Sequence, residues 1–212
     1  MSFIHAITAL RLLAAPLFLL FYLEGTNLGV APSHLPLLLF GLLTLSELSD
    51  LLDGFLARRY NSVTDLGKIL DPMADSILRI AVFLAFTRPP VELPLGLAFV
   101  FLYRDMLISA LRTICALRGY ALAARPSGKV KAVMQAFVAF SILLLMEAAS
   151  LDWIELSSMQ GLAAQLGSLA ALYAIFSGCD YLFAHRHHIA RLWLIDKAPK
   201  RATSSWTRID PS

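Results

Sequence analysis

The sequence predicts an all-α, polytopic integral membrane protein with about six transmembrane helices. Three observations carry that prediction. Of 212 residues, 58% are hydrophobic and only 16% are charged, whereas soluble domains carry about 25% charged residues. The apolar residues gather into about six stretches, each close to the roughly 20 residues that a spanning helix needs. Lys and Arg concentrate in alternate connections between those stretches. With a mean hydropathy of +0.69, this pattern excludes a secreted disulfide scaffold, a disordered tail and a soluble nucleic-acid binder.

The first stretch lies near 7–23; Arg11 interrupts it, and no basic n-region or convincing cleavage site precedes it, so it reads as a retained helix rather than a removed signal. Gly25 and Pro32 break the chain before the second stretch, near 35–57. The third, near 69–87, stops at Pro89 and Pro90, and the fourth follows near 93–117. Pro126 and Gly128 introduce the fifth, near 130–149, and the sixth lies near 160–184. These stretches nearly exhaust the chain, without internal repeats or low-complexity tracts. Residues 1–184 therefore read as one transmembrane domain and 185–212 as a basic cytoplasmic C-terminal tail. Cys115 and Cys179 lack C-x-x-C spacing and read as buried, inert thiols.

Orientation follows from the bases. One set of connections holds Arg58, Arg59 and Lys68, then Arg118, Arg125, Lys129 and Lys131, and the tail adds Arg186, Arg191, Lys197, Lys200, Arg201 and Arg208. Residues 24–34 and 150–159 hold none, and 88–92 only Arg88. The positive-inside rule then places both termini and the basic turns in the cytoplasm, as in a bacterial inner membrane. Topology and anionic headgroups thus account for most of the net charge of +3.

The acids have no such explanation. Asp50 and Asp53 are spaced i, i+3, and Asp71 and Asp75 i, i+4, so each pair shares one helix face. One Asp at the centre of a spanning helix costs about 2.5 to 3.5 kcal/mol and less near its ends, so something cationic must compensate four. If the 58–68 turn makes the two helices antiparallel neighbours, all four carboxylates converge. A hard, all-oxygen donor set suits Mg²⁺ or Mn²⁺ rather than zinc, and two such ions can clamp both oxygens of a displacement at phosphorus. Gly54 lets a phosphate approach the helix backbone, and Arg58 can reach a phosphate oxygen. Two other readings stand beside this one. An interhelical ion network would pair Asp75 with Arg79 at i, i+4, and an ion pathway would make the chain a divalent-cation transporter.

The run D-x-x-D-G-x-x-A-R-x8-G-x-x-x-D-x-x-x-D, here Asp50, Asp53, Gly54, Ala57, Arg58, Gly67, Asp71 and Asp75, resembles the motif of the CDP-alcohol phosphotransferases at every fixed position. Further passages look like the phosphatidylglycerophosphate synthase branch of that family: Thr8 to Arg11 followed by Pro16, Leu70 to Asp75, Arg104-Asp105 with Ser109 to Arg112, Gly128 to Lys131, and Ser177 to Tyr181. The resemblance implies a six-helix enzyme, usually a homodimer, that moves the phosphatidyl group of CDP-diacylglycerol to an alcohol and releases CMP. It implies that Asp50, Asp53, Asp71 and Asp75 hold two Mg²⁺ or Mn²⁺ ions and that Asp75 also deprotonates the acceptor hydroxyl. It further implies that Asp50, Asp53, Gly54, Ala57, Arg58 and Gly67 hold CDP-diacylglycerol.

In that branch the acceptor is glycerol 3-phosphate and the product phosphatidylglycerophosphate, so a second basic site is required. Its candidates are Arg104, Arg112, Lys129 and Lys131. Arg104 and Arg112, at i, i+8, stand about 80° apart on a helix; for both arginines and both lysines, pairing with Asp105 or snorkelling to headgroups is the structural alternative. Two departures from the family pattern touch the nucleotide side: Ser76 stands where Lys is usual after the final Asp, and His5 replaces the second Asn of the usual Asn-x-Pro-Asn. Glu47 is an extra acid one turn before Asp50. His185, His187 and His188 read as an interfacial segment, and Trp153, Trp193 and Trp206 as interfacial anchors. A cardiolipin synthase or a phosphatidylinositol-phosphate synthase would keep the donor and change the acceptor.

Overall fold

The computed structural model describes residues 3–60, 65–117 and 125–196, with side chains described except at 3–11, 50, 51, 53–60, 65–72 and 188–196. Six helices and no strands are found among the described residues: α1 Phe3–Glu24, α2 Leu35–Tyr60, α3 Asp65–Ala85, α4 Leu95–Leu117, α5 Pro126–Ser150 and α6 Leu156–Asp196. Each overlaps one predicted stretch, with α3 ending two residues before its stretch does and α4 starting two residues after its own begins. The larger departure is α6, whose 41 residues run about 60 Å at 1.5 Å per residue. It continues past residue 184, so its last turns carry His185 and His187 on helix.

The helices close into a ring. α1 packs on α2 and α3, α3 on α4, α4 on α6, α6 on α5, and α5 on α2, with a smaller α3–α5 contact across the ring. Among the described residues α2 and α3 do not touch directly. The expectation that the 58–68 turn makes them antiparallel neighbours at their acidic ends falls on residues 61–64 and on side chains outside the described residues; both helices pack on α1.

The contacts explain that arrangement. On α1, Ala14, Ala15, Phe18 and Tyr22 are buried, and their 3- to 4-residue spacing makes one stripe. Phe18 and Tyr22 meet Phe86 at ring-centroid distances of 6.2 and 5.9 Å, and Phe83 meets Phe101 of α4 at 4.5 Å. Edge-to-face and tilted rings at such distances contribute about 0.5 to 1.5 kcal/mol per pair beyond area burial. Phe40 and Phe140 join α2 to α5 at 5.1 Å. On α6, Ala163, Ala170, Ala171 and Ala174 are buried, and such small side chains let a neighbouring helix approach closely. Gly167 extends that seam: a Cβ there would stand 3.0 Å from Leu93 Cδ1 and 3.3 Å from Leu97 Cδ1.

The base-poor connections are tightly held. Tyr22 donates its hydroxyl proton to Arg88 O at 2.9 Å, and Gln160 Nε2 donates to Pro90 O at 2.8 Å, so α1 and α6 brace the α3–α4 connection from both sides. At the end of α1, Gly25 N–H donates to Phe21 O at 2.9 Å, and Val30 N–H to Gly25 O at 2.9 Å. The exposed Trp153 lies in the α5–α6 turn.

Two helices, Pro126–Ser150 and Leu156–His187, are long and apolar enough to cross a membrane. Shorter apolar helical runs span Leu12–Glu24 and Leu35–Ser49. Outward faces remain apolar along the ring, with Leu13, Leu37, Phe99, Val133, Phe137, Leu172 and Phe176 all exposed. Cys115 is buried as expected, but Cys179 is exposed and both thiols are free. The helical period explains the difference, because the inner face of α6 is set by Ala174, Ser177, Gly178 and Tyr181, and residue 179 turns away from it.

A Cβ on Gly25 would overlap the Phe21 carbonyl oxygen, whereas one on Gly161 meets nothing within 4 Å. Gly25→Ala is expected to destabilise the fold by about 1 to 3 kcal/mol. Gly161→Ala, inside α6, is expected to stabilise it by up to about 1 kcal/mol. Thermal unfolding of both variants in detergent checks the opposite signs.

Candidate active site

Asp50, Asp53, Gly54, Ala57 and Arg58 lie on α2, and Gly67, Asp71 and Asp75 on α3. Both acidic pairs are thus set in unbroken helix, which supports the one-face spacing on which the sequence reading depends. The side chains of all these residues except Asp75 lie outside the described residues, as does that of Arg11. Asp75 is partly buried, and its Oδ2 stands 3.9 Å from Arg79 Nη2 one turn further along α3. Among the described residues no three His, Cys, Asp or Glu side chains form a metal-holding group, and this includes His185 and His187. His185 instead stacks on Tyr181 at 4.4 Å and places Nδ1 3.0 Å from Tyr181 O.

The basic candidates are described in full. Asp105 of α4 is 7% exposed and Lys131 of α5 is 3% exposed. Lys131 Nζ donates to Asp105 Oδ1 at 2.7 Å and to Oδ2 at 2.9 Å. Arg104 Nη1 donates to the same Oδ1 at 3.0 Å, and Arg104 Nη2 to Ser177 Oγ of α6 at 2.7 Å. α3, which carries Arg79, also packs lightly against α5. Two cations therefore share one carboxylate.

The local sequence makes room for this. Gly128 of α5 and Gly178 of α6 flank Arg104: a Cβ on the first would stand 3.4 Å from Arg104 Nη2, and on the second 3.3 Å from Arg104 Cγ. Pro126 opens α5 at the first helical position, where its missing N–H is not needed. That end of α5 is pinned to α6, since Ser127 Oγ donates to Asp180 Oδ2 at 2.6 Å and Arg125 Nε lies 2.9 Å from the same oxygen.

The structure brings Arg104 and Lys131 together but not all four basic candidates. Arg112 is two turns further along α4, where its Nε donates to Tyr181 Oη at 3.3 Å and its guanidinium carbon lies 5.4 Å from the Tyr181 ring centroid. Lys129 is exposed, and no hydrogen bond or ion pair joins it to the other described residues. The structural alternative for these residues, pairing with Asp105, is present for both Arg104 and Lys131. Ser177, Gly178 and Tyr181 are not among the sequence-predicted site residues; the only signal for them in the sequence is the likeness of the run Ser177 to Tyr181 to the family.

Residues 3–176 match the family model described as CDP-alcohol phosphatidyltransferase. The chain belongs to that family. Over 141 residues it is 33% identical to the CDP-diacylglycerol--glycerol-3-phosphate 3-phosphatidyltransferase of Rickettsia felis, covering 66% of this chain and 72% of that protein. To the protein of the same name from Bacillus subtilis it is 32% identical over 147 residues, covering 66% and 75%. A cardiolipin synthase (CMP-forming) from Streptomyces coelicolor is 37% identical over 110 residues, covering 52% and 49%. Membership makes this phosphatidyltransferase an enzyme and sets aside the reading of its carboxylates as a cation-transport route.

Two of the ion pairs among the described residues of the phosphatidyltransferase differ sharply in burial. The Lys131 and Asp105 side chains are 4% and 5% exposed, while those of Arg125 and Asp180 are 39% and 26% exposed. Lys131→Met removes one partner of a buried pair and is expected to destabilise the fold by about 3 kcal/mol. Arg125→Met is expected to cost less than about 1 kcal/mol. Unfolding midpoints of the two purified variants measure the contrast.

Proposed function

We propose that the chain transfers the phosphatidyl group of CDP-diacylglycerol to glycerol 3-phosphate, forming phosphatidylglycerophosphate and releasing CMP. The observation that carries the acceptor is the pair of Arg104, part-buried, and Lys131, buried, two cations facing the single carboxylate of Asp105, because an acceptor with its own phosphate needs fixed positive charge. The relatives named for this reaction support the same choice.

The donor side follows from the acidic motif. Its four carboxylates offer only oxygen donors, a set that fits two Mg²⁺ or Mn²⁺ ions. Asp50, Asp53, Asp71 and Asp75 would hold them. Bound there, the ions neutralise the pyrophosphate and the charge of the departing CMP phosphate. Gly54, Ala57 and Gly67 give the CDP group close access to the α2 and α3 backbones, and Arg58 contacts a phosphate oxygen. Asp75 accepts the proton of the acceptor hydroxyl as its oxygen attacks the phosphatidyl phosphorus. The bond from that phosphorus to CMP then breaks, and CMP leaves with the electron pair.

On the acceptor side, Arg104 and Lys131 hold the phosphate of glycerol 3-phosphate. Arg112 lies further along α4 and Lys129 at the exposed surface, where both serve approach and headgroup contact. The exposed apolar residues around the ring suit lipid contact, so we infer six membrane-spanning helices, with the basic connections and both termini in the cytoplasm, in a bacterial inner membrane. A homodimer is the assembly inferred from the family, with residues 1–184 as its transmembrane part and the rest as a basic tail.

A cardiolipin synthase is the second reading, favoured by the 37% identity to the Streptomyces coelicolor protein. Release of CMP from CDP-diacylglycerol and Mg²⁺ is expected with glycerol 3-phosphate and not with phosphatidylglycerol. The reverse pattern would replace the first reading with the second. Asp75→Asn is expected to lower CMP release by at least about 100-fold, since general acid–base catalysis alone contributes about 10² to 10⁴, while the protein remains folded and extractable. Near-normal turnover in that variant would refute the proposed role of Asp75.

A further inference from the structure

We propose that Asp105 is a positioning residue for the acceptor phosphate: by fixing the Lys131 ammonium and the Arg104 guanidinium in one place, it sets the affinity for glycerol 3-phosphate. The inference rests on the acceptor reading above and assigns a role to a residue outside the acidic motif.

Charge arithmetic at the cluster starts the argument. Asp105 accepts from Lys131 through both oxygens and from Arg104 through one. One negative charge thus faces two positive ones in a buried setting. As a stability device this is poor, because apolar side chains of similar volume usually serve a fold as well as a buried ion pair. The arrangement makes sense as a net-positive socket whose remaining charge is met by an anion.

Unused donors point the same way. A guanidinium has five N–H donors, and Arg104 spends its Nη groups on Asp105 and Ser177. Arg104 Nε is buried without a partner, and so is Arg79 Nε. Oxygen-rich anions match such donors in geometry and charge. Asp105 repels an anion and cannot hold it directly, so its effect passes through the two cations. Gly128 lies against the guanidinium and Gly178 against the aliphatic stem of the same arginine, and Ser177 ties its far end. An arginine so confined meets its ligand already oriented, which lowers the entropy lost on binding.

The test uses purified full-length protein with CDP-diacylglycerol in mixed micelles and Mg²⁺, with CMP release followed while each substrate is varied. Asp105→Asn is expected to raise the KM for glycerol 3-phosphate by about tenfold or more, as loss of a supporting shell commonly does, with the KM for CDP-diacylglycerol within about twofold. Ser177→Ala leaves every charge in place and is expected to raise the acceptor KM by roughly threefold, so it decides the matter if Asp105→Asn is not recovered folded. Asp105→Glu is expected to recover part of the acceptor affinity. A purely structural role would lower the active fraction and leave both KM values unchanged; that result in both Asp105→Asn and Ser177→Ala overturns the inference. Wild-type protein that releases no CMP with glycerol 3-phosphate would instead overturn the functional reading and this inference with it.

Discussion

Three helices meet at one carboxylate. Asp105 of α4 takes Lys131 of α5 through two short bonds and holds Arg104, which reaches Ser177 of α6. The rest of these helices offers mostly apolar surface, and apolar surfaces tolerate sliding and rotation. In a bilayer this is acute, because lipid tails are as apolar as leucine and helix association rests on close packing and polar contacts. A bidentate ammonium–carboxylate contact has a narrow geometry. It fixes the register in which the alanine seam of α6 and the buried face of α5 come together, and the ring closes around that register.

The same constraint explains the glycines. An arginine emerging among three helices needs volume that packed side chains would fill. Gly128 and Gly178 supply it at 3.4 and 3.3 Å from the guanidinium arm, so the close approach of α5 and α6 and the lodging of Arg104 depend on one another. Arg104 and Arg112, about 12 Å apart along α4, reach Ser177 and Tyr181, only about 6 Å apart along α6. Long, bendable side chains absorb that difference, which short polar residues could not.

Hydropathy located all six helices because each is a continuous apolar run, and it misjudged α6 because a helix does not stop where its apolar residues thin out. The acidic motif was legible because its spacings are helical spacings. Pairing of Lys131 with Asp105 was one of two alternatives the sequence left open across 26 residues, whereas that of Arg104 with Ser177, 73 residues apart, was not legible; only the ring order brings those two together. Lys129 and Lys131 are two residues apart, about 200° around a helix, so both could not enter the same socket, and the structure buries Lys131 and exposes Lys129.

Arg79 then acquires significance. It lies on α3, 3.9 Å from Asp75. The proposed reaction brings together a pyrophosphate and a second phosphate, which repel each other. In the proposed site, an acidic half that would hold divalent ions for the donor and a half of fixed side-chain cations for the acceptor answer that repulsion with two differently charged surfaces. They must still adjoin, because the acceptor oxygen has to reach the donor phosphorus. Arg79 meets the proposed base on a helix that also packs against the helix of Lys131, which gives α3 a stake in both halves. Any shift of α3 against α5 would then disturb the acceptor cations and the base together, so the small α3–α5 contact that crosses the ring matters to the proposed chemistry out of proportion to its extent.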